Sequence, residues 1–240
     1  MQSVSTEEYW SNHWKETVFE IAPRNHPIRL WIEKEIPDTI TANCMEIGCY
    51  PGKFLAVFGE KGYELNGVDS FHGTDSLSGW FKSRGYRYNH FYEADIFDFK
   101  SQIKYDLVCS FGFIEHFNDL EEVLDKHLEL LKPGGKIIID VPNLNSPIYY
   151  FLYKLFEPDV LKNHVLSSMN LKAITSVMIA KGCRIDYSGY VGRFYFRFVT
   201  KQGVTRRCIS KVINLFSLLL SLLPDSLYKR YIGVIATKVS

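Results

Sequence analysis

Met45-Glu46-Ile47-Gly48-Cys49-Tyr50-Pro51-Gly52 decides the fold. The apolar run 42–47 enters a turn with glycines at 48 and 52, and a helical pattern over 51–61 follows, closed by Gly62. Strand, glycine turn and helix in this order open a nucleotide-type α/β sheet. Small residues let a ligand approach the backbone, and the first turn of a helix offers unpaired N–H groups. Glu46 narrows the ligand. A carboxylate at this strand end repels a pyrophosphate and suits a ligand with a cationic amino group.

Outward from this turn the chain alternates strand and helix. Strands are expected over 64–69, 90–95, 105–110 and 136–141, with helices over 75–84 and 120–131 between them. The second helix carries Leu120, Val123, Leu124, Leu128 and Leu131 on one face, with Asn118 or Asp119 as its cap. Lys132-Pro133-Gly134-Gly135 stops it. The β-branched run 136–141 alternates poorly, as a strand buried on both faces does. Such a chain predicts a Rossmann-like, doubly wound, mostly parallel seven-stranded sheet with right-handed crossovers, N-terminal helices and a C-terminal helical insertion. The ligand then lies beyond the carboxyl ends of the strands, at the switch in strand order.

That rule gathers the candidate residues. Gly48, Cys49, Tyr50 and Gly52 form the first loop. Asp69 and Ser70 follow the second strand, at the spacing from the glycine turn where an acid meets ribose hydroxyls; Asp69 also fits a simple strand-ending turn. Asp95 and Ile96 follow the third strand, an acid for an exocyclic amine and an apolar neighbour for a ring. Ser110, Phe111, Glu115 and His116 follow the fourth, where reacting atoms belong. Imidazole titrates near neutral pH, so His116 suits a general base with Glu115 beside it; a role in positioning the loop is equally open.

These motifs resemble class I S-adenosylmethionine-dependent methyltransferases, especially the small-molecule subfamily that includes ubiquinone-type O-methyltransferases. The resemblance covers Ala42 to Asn143. It rests on Glu46-Ile47-Gly48, Gly67-Val68-Asp69, Ile114-Glu115-His116-Phe117 and Leu131-Lys132-Pro133-Gly134-Gly135, in that order. It implies S-adenosyl-L-methionine as cofactor, held by the loop and strand-end residues above. It further implies in-line attack on the sulfonium methyl by a small acceptor, a hydroxyl of a sugar or other metabolite. Tyr50 stands where the family pattern has its middle glycine. The loop and the aromatic start Tyr9-Trp10 and Trp14 also look like methyltransferases encoded among bacterial surface-polysaccharide genes, which implies a sugar or lipid-linked glycan precursor as acceptor. A non-catalytic S-adenosylmethionine-binding module is the alternative. A nicotinamide enzyme fits less well, because Tyr50 breaks its glycine fingerprint.

At 240 residues, the chain is read as one domain: a helical cap over 1–40, a cofactor core over 41–143, and substrate-side elements over 144–240. Ser5 to Glu8 reads as a capping box for a helix to about Phe19, and Pro27 opens a helix to Glu35. A helix over 171–180, an aromatic strand region over 184–199 and a last strand over 231–239 complete the pattern. Tyr9 to Trp14, Tyr149 to Tyr153 and 189–198 are expected to shape the acceptor pocket, with Arg193 and Arg197 as anion-binding candidates. The net charge of +1 and the dispersed bases argue against a nucleic-acid partner. Five cysteines without a CxxC, and a polar start, are expected of a reduced, cytoplasmic protein. Seven histidines scattered along the chain suggest no metal site. The apolar stretch 209–223 is too short to span a membrane. It reads first as core beneath the last strand, and otherwise as a homodimer contact or a membrane-surface contact beside Lys201, Arg206 and Arg207.

Overall fold

The computed structural model describes residues 3–6, 9–10, 14, 17–199 and 203–239. Strands β1 (Asn43–Ile47), β2 (Glu64–Asp69), β3 (Tyr88–Glu93), β4 (Tyr105–Phe111), β5 (Leu131–Pro142), β6 (Cys183–Val191) and β7 (Tyr231–Lys238) make one sheet. Its order is β3-β2-β1-β4-β5-β7-β6. The first five strands run parallel, and β7 pairs antiparallel with both β5 and β6. This is the expected Rossmann-like sheet, and its order reverses between β1 and β4.

Alternate residues of the central strands feed two cores. Cys44, Leu107, Cys109 and Ile138 face the helices Pro27–Glu35, Leu55–Glu60 and Ser76–Ser83. Met45, Val108, Ile137 and Ile139 face the helices Leu120–Leu130, Pro147–Phe156 and Leu171–Ala180. The poor alternation over 136–141 therefore reflects burial on both faces. Asp119 caps its helix by accepting from Glu122 N at 3.0 Å. Gly135 lets the next turn close, since a Cβ there would lie 2.8 Å from Leu131 Cδ1 and 3.0 Å from the Asp106 carbonyl.

Several boundaries move. β3 lies two residues earlier than expected, in register with β2 through Asp69 and Glu93, so Asp95 falls in the loop beyond it. The first crossover helix begins at Leu55, because Gly52 donates to the Cys49 carbonyl and turns at φ +81°. β6 ends at Val191, where Gly192 turns at φ +89°. Beyond it Phe194, Phe196 and Phe198 are buried in alternation but join no strand. The expected C-terminal helical insertion carried no bounds; its first helix is Pro147–Phe156, with Pro147 at the first turn. The expected capping box over 5–8 lies partly outside the described residues; Thr6 Oγ1 accepts from Tyr9 N at 3.1 Å.

The largest correction concerns 209–223. The segment forms two helices, Val204–Leu215 and Ser217–Leu220, and neither buries a residue. Leu218 and Leu222 are 79% and 83% exposed, so the stretch is surface and not core. Among the described residues no helix is long and apolar enough to cross a membrane.

Candidate active site

A cleft of about 820 Å³ opens over the carboxyl ends of β1, β2, β4 and β5. That volume lies within the range of small-molecule sites. Its floor is the glycine loop. Gly48 turns at φ +71° and donates to the Val68 carbonyl at 2.9 Å. A Cβ at this glycine would stand 2.5 Å from Phe113 Cδ2. Tyr50 costs no such strain, because no described residue other than glycine has positive φ. Its N–H donates to Asp69 Oδ2 at 2.9 Å, and its ring packs on Phe71 at 4.6 Å and edge-on to Trp14 at 5.9 Å. Where the family pattern has a glycine, this chain has an aromatic wall. Cys49 offers the cleft its backbone side, while its thiol is buried against Gly67.

Glu46 is 4% exposed, and its Oε2 has no hydrogen-bond partner. Burial, then the charge of Asp69, pushes its pKa well above the usual carboxylate range, against a pull from Leu55 N–H. A buried carboxylate oxygen left unpaired is costly unless a cation or donor meets it. Asp69 accepts from Tyr50 N and, through Oδ1, from Phe71 N at 2.9 Å. Burial raises its pKa and these two bonds lower it. Each oxygen keeps a second lone pair for a hydroxyl donor. Ser70 stands exposed at the rim, and Asp95, also exposed, accepts from Phe97 N at 2.9 Å. Ile96 is buried beside Val68 and Ile47 in one apolar cluster. All of these line the cleft.

Beyond β4 the candidates divide. Phe111 lines the cleft and packs on Phe54 at 4.7 Å. Ser110 is not brought into the cleft; its buried hydroxyl lies 2.9 Å from His127 Nε2 on the helix behind β4. Glu115 and His116 do line it. Glu115 Oε2 is buried without a partner, and burial raises its pKa well above the usual range. His116 Nδ1 lies 2.7 Å from both the Asn163 carbonyl and Ser5 Oγ. A carbonyl only accepts, so Nδ1 carries a proton, and in the neutral ring the lone pair is then on Nε2. Trp10 meets the imidazole edge-on at 4.9 Å.

Some cleft residues were not singled out from the sequence. Asp140 ends β5 as Glu46 ends β1, and an acid closing an apolar strand was the signal for it. It is 4% exposed, with Oδ2 unpartnered. His26, His164 and Arg230 lie away from the loops that directly follow the parallel strands, so no strand-end rule marks them. Arg197 lines the cleft, whereas Arg193 does not. Tyr153 lines it too; Tyr149 is buried behind, donating to the Tyr228 carbonyl at 3.0 Å. The scatter of histidines in sequence is also undone at one place. Glu115, His116 and His164 bring one donor atom each within 4.8 Å of one another, a spacing that a divalent cation can bridge.

A methyltransferase-domain family model matches residues 15–187. The chain belongs to this family of S-adenosylmethionine-dependent methyltransferases. A ubiquinone biosynthesis O-methyltransferase of Rickettsia felis is 25% identical over 147 residues, which cover 58% of this chain and 60% of the relative. The chain thus spans about six tenths of that relative's length. Among solved structures, a SAM-dependent methyltransferase from Archaeoglobus fulgidus superposes with TM-score 0.59 at 18% identity, over 88% of this chain and 93% of that one. The phosphoethanolamine N-methyltransferase 2 of Haemonchus contortus, in complex with S-adenosyl-L-methionine, gives 0.61 at 16%, over 98% of this chain and 58% of its own. These likenesses show the shared Rossmann-like class I fold.

Proposed function

We propose that this methyltransferase transfers the methyl group of S-adenosylmethionine to a hydroxyl of a small acceptor, a sugar or other metabolite such as a lipid-linked glycan precursor. The observation that carries this is Glu46 Oε2, buried and unpartnered at the switch point beneath the glycine loop. It fits the amino group of the methionine moiety and would repel the pyrophosphate of a dinucleotide. Asp69 then takes the ribose hydroxyls, Asp95 the exocyclic amine, and Ile96 the adenine face. The cofactor supplies a methyl already made electrophilic by its sulfonium. The chain supplies alignment and a base. With the cofactor bound and supplying the methyl, His116 Nε2 would take the proton of the acceptor hydroxyl. On this proposal residues 41–143 hold the cofactor, and residues 1–40 and 144–240 shape the acceptor side within one domain. Five unpaired thiols, four of them buried, accord with work in a reducing cytoplasm.

Titration calorimetry with S-adenosylhomocysteine and NAD tests the cofactor, and transfer of labelled methyl to a metabolite pool tests the enzyme. Binding of NAD without S-adenosylhomocysteine overturns the first proposal. Cofactor binding without transfer to any hydroxyl acceptor favours a binding module.

We also propose that the face over 204–223 rests on an anionic membrane surface. Leu215, Leu218, Leu219 and Leu222 are exposed there. Between Asp186 and Asp225 the sequence has no acid and six bases, including Arg207 and Lys211 on the exposed helix. Flotation with phosphatidylserine vesicles should carry the protein. A concentration-dependent dimer in light scattering, without flotation, would make the face a dimer contact instead.

A further inference from the structure

The acids and bases of the cleft are segregated. Glu46, Asp69, Glu115 and Asp140 lie along the strand ends. His26, Arg197 and Arg230 come from the segments that flank β6 and β7 and from the start of helix Pro27–Glu35. Lys53 also lines the cleft, but Glu20 neutralises it at 2.9 Å. Arg197 and Arg230 have no carboxylate within 4.0 Å among the described residues.

Arg230 is held as a binding group is held. Its own carbonyl accepts from Asn143 N at 2.8 Å, which ties the turn before β7 to the end of β5. Asn143 Nδ2 secures the same turn through the Ser226 and Lys229 carbonyls at 2.9 Å. The guanidinium donates from Nη1 to the Tyr195 carbonyl at 2.6 Å and packs over the rings of Tyr195 and Tyr231 at 5.5 and 5.4 Å. Four N–H donors of the fork are not used by that bond. The charges of Arg230 and Arg197 both reach His26, where burial, Lys53 and the two arginines together hold the imidazole pKa down to about 4. His26 is therefore neutral at pH 7 and does not compete for an anion. Asp140 feels Arg230 but makes no ion pair with it, and burial keeps its carboxyl well above the usual range. A half-buried guanidinium with an oriented fork and no carboxylate partner is a site for a planar or tetrahedral oxyanion.

We infer that Arg230, with Arg197 at the mouth, binds an anionic group of the acceptor, a carboxylate or a phosphate, and so selects acidic hydroxylated molecules over neutral ones. This rests on the methyltransferase reading of the cleft for its meaning, but binding tests it apart from turnover. The protein, with and without S-adenosylhomocysteine, is titrated with matched pairs: 3,4-dihydroxybenzoate against catechol, and glucose 1-phosphate against glucose. The benzoate and phosphate arms separate the two sources of charge. At least one anionic member should bind about 10–100-fold tighter than its neutral partner. Arg230→Gln should abolish that advantage, Arg197→Gln should reduce it, and Arg230→Lys should restore part of it. S-adenosylhomocysteine affinity should be unchanged in all three. Equal binding within both pairs, or an advantage that survives Arg230→Gln, overturns the inference. Arg197 is exposed, so its variant tests the site even if Arg230→Gln fails to fold. Failure of the wild type to bind S-adenosylhomocysteine would instead strike the cofactor reading, and the anion preference of the ligand-free protein is read separately.

Discussion

The two walls of the cleft differ in sign, in origin and in how they are built. The proposed cofactor wall is acidic and is assembled from loops that follow successive parallel strands, between Glu46 and His116. Its geometry is inherited from the sheet, so one local rule places every member. The opposite wall is basic and aromatic. It is assembled from Trp10, Trp14, His26, Arg197 and Arg230, which are far apart in sequence, with Arg230 carried on the turn into β7, the strand that inserts antiparallel between β5 and β6. A parallel sheet thus fixes one half of the site by topology, while the other half depends on packing between distant segments.

The largest effect should come where the walls meet. His116→Ala should lower kcat by about 10²–10⁴-fold on a hydroxyl acceptor, with cofactor affinity nearly unchanged. Unchanged kcat, with chemistry shown to be rate-limiting, removes His116 as the base. Next comes His127, which lies behind the cofactor wall and bonds Ser110. Burial lowers its pKa to about 4, against an ordinary value of 6.5. Between those values the unfolded chain binds the extra proton, so His127 makes stability fall as pH falls through that window. In chemical denaturation, the wild type relative to His127→Gln should lose about 3 kcal/mol from pH 6.5 to 4. A parallel pH dependence in both proteins would show that His127 is not the group responsible.

Asp69→Ala should weaken S-adenosylhomocysteine by about 10–100-fold in calorimetry, since a charged acceptor for the ribose hydroxyls is lost. An unchanged Kd would limit Asp69 to holding the loop through Tyr50 and Phe71. The smallest effect belongs to the exposed helices. Leu219→Asp should change unfolding stability by no more than about 0.5 kcal/mol, as surface substitutions do, while reducing vesicle flotation. A cooperative loss of folding would mean that the face is covered in the native protein.

The sheet was legible in the sequence because burial on both faces and glycine turns are local signals. β2 and helix Leu171–Ala180 match their expected bounds, and β7 closes at Lys238. The cofactor candidates line the cleft for the same reason, except Ser110. Strand alternation turns its side chain away from the cleft that Phe111 faces. The 209–223 stretch misled because all-round apolarity describes a buried helix and an exposed docking face equally well. Arg230 and His164 were invisible, since nothing local distinguishes a pocket arginine or histidine from a surface one.

The first residues described reach His116, the proposed base. Val4 N donates to the His116 carbonyl at 2.9 Å, and Ser3 Oγ contacts the same oxygen at 3.3 Å. An amino-terminal affinity tag would therefore hang at the doorway of the cleft. A tag on the other end, after β7, emerges beside Gly182 at the opposite edge of the sheet, where Val239 N donates to that residue's carbonyl. Preparations that differ only in the end that carries the tag should differ in turnover while sharing one melting curve, and a protein trimmed of its first five residues should behave like the amino-tagged form.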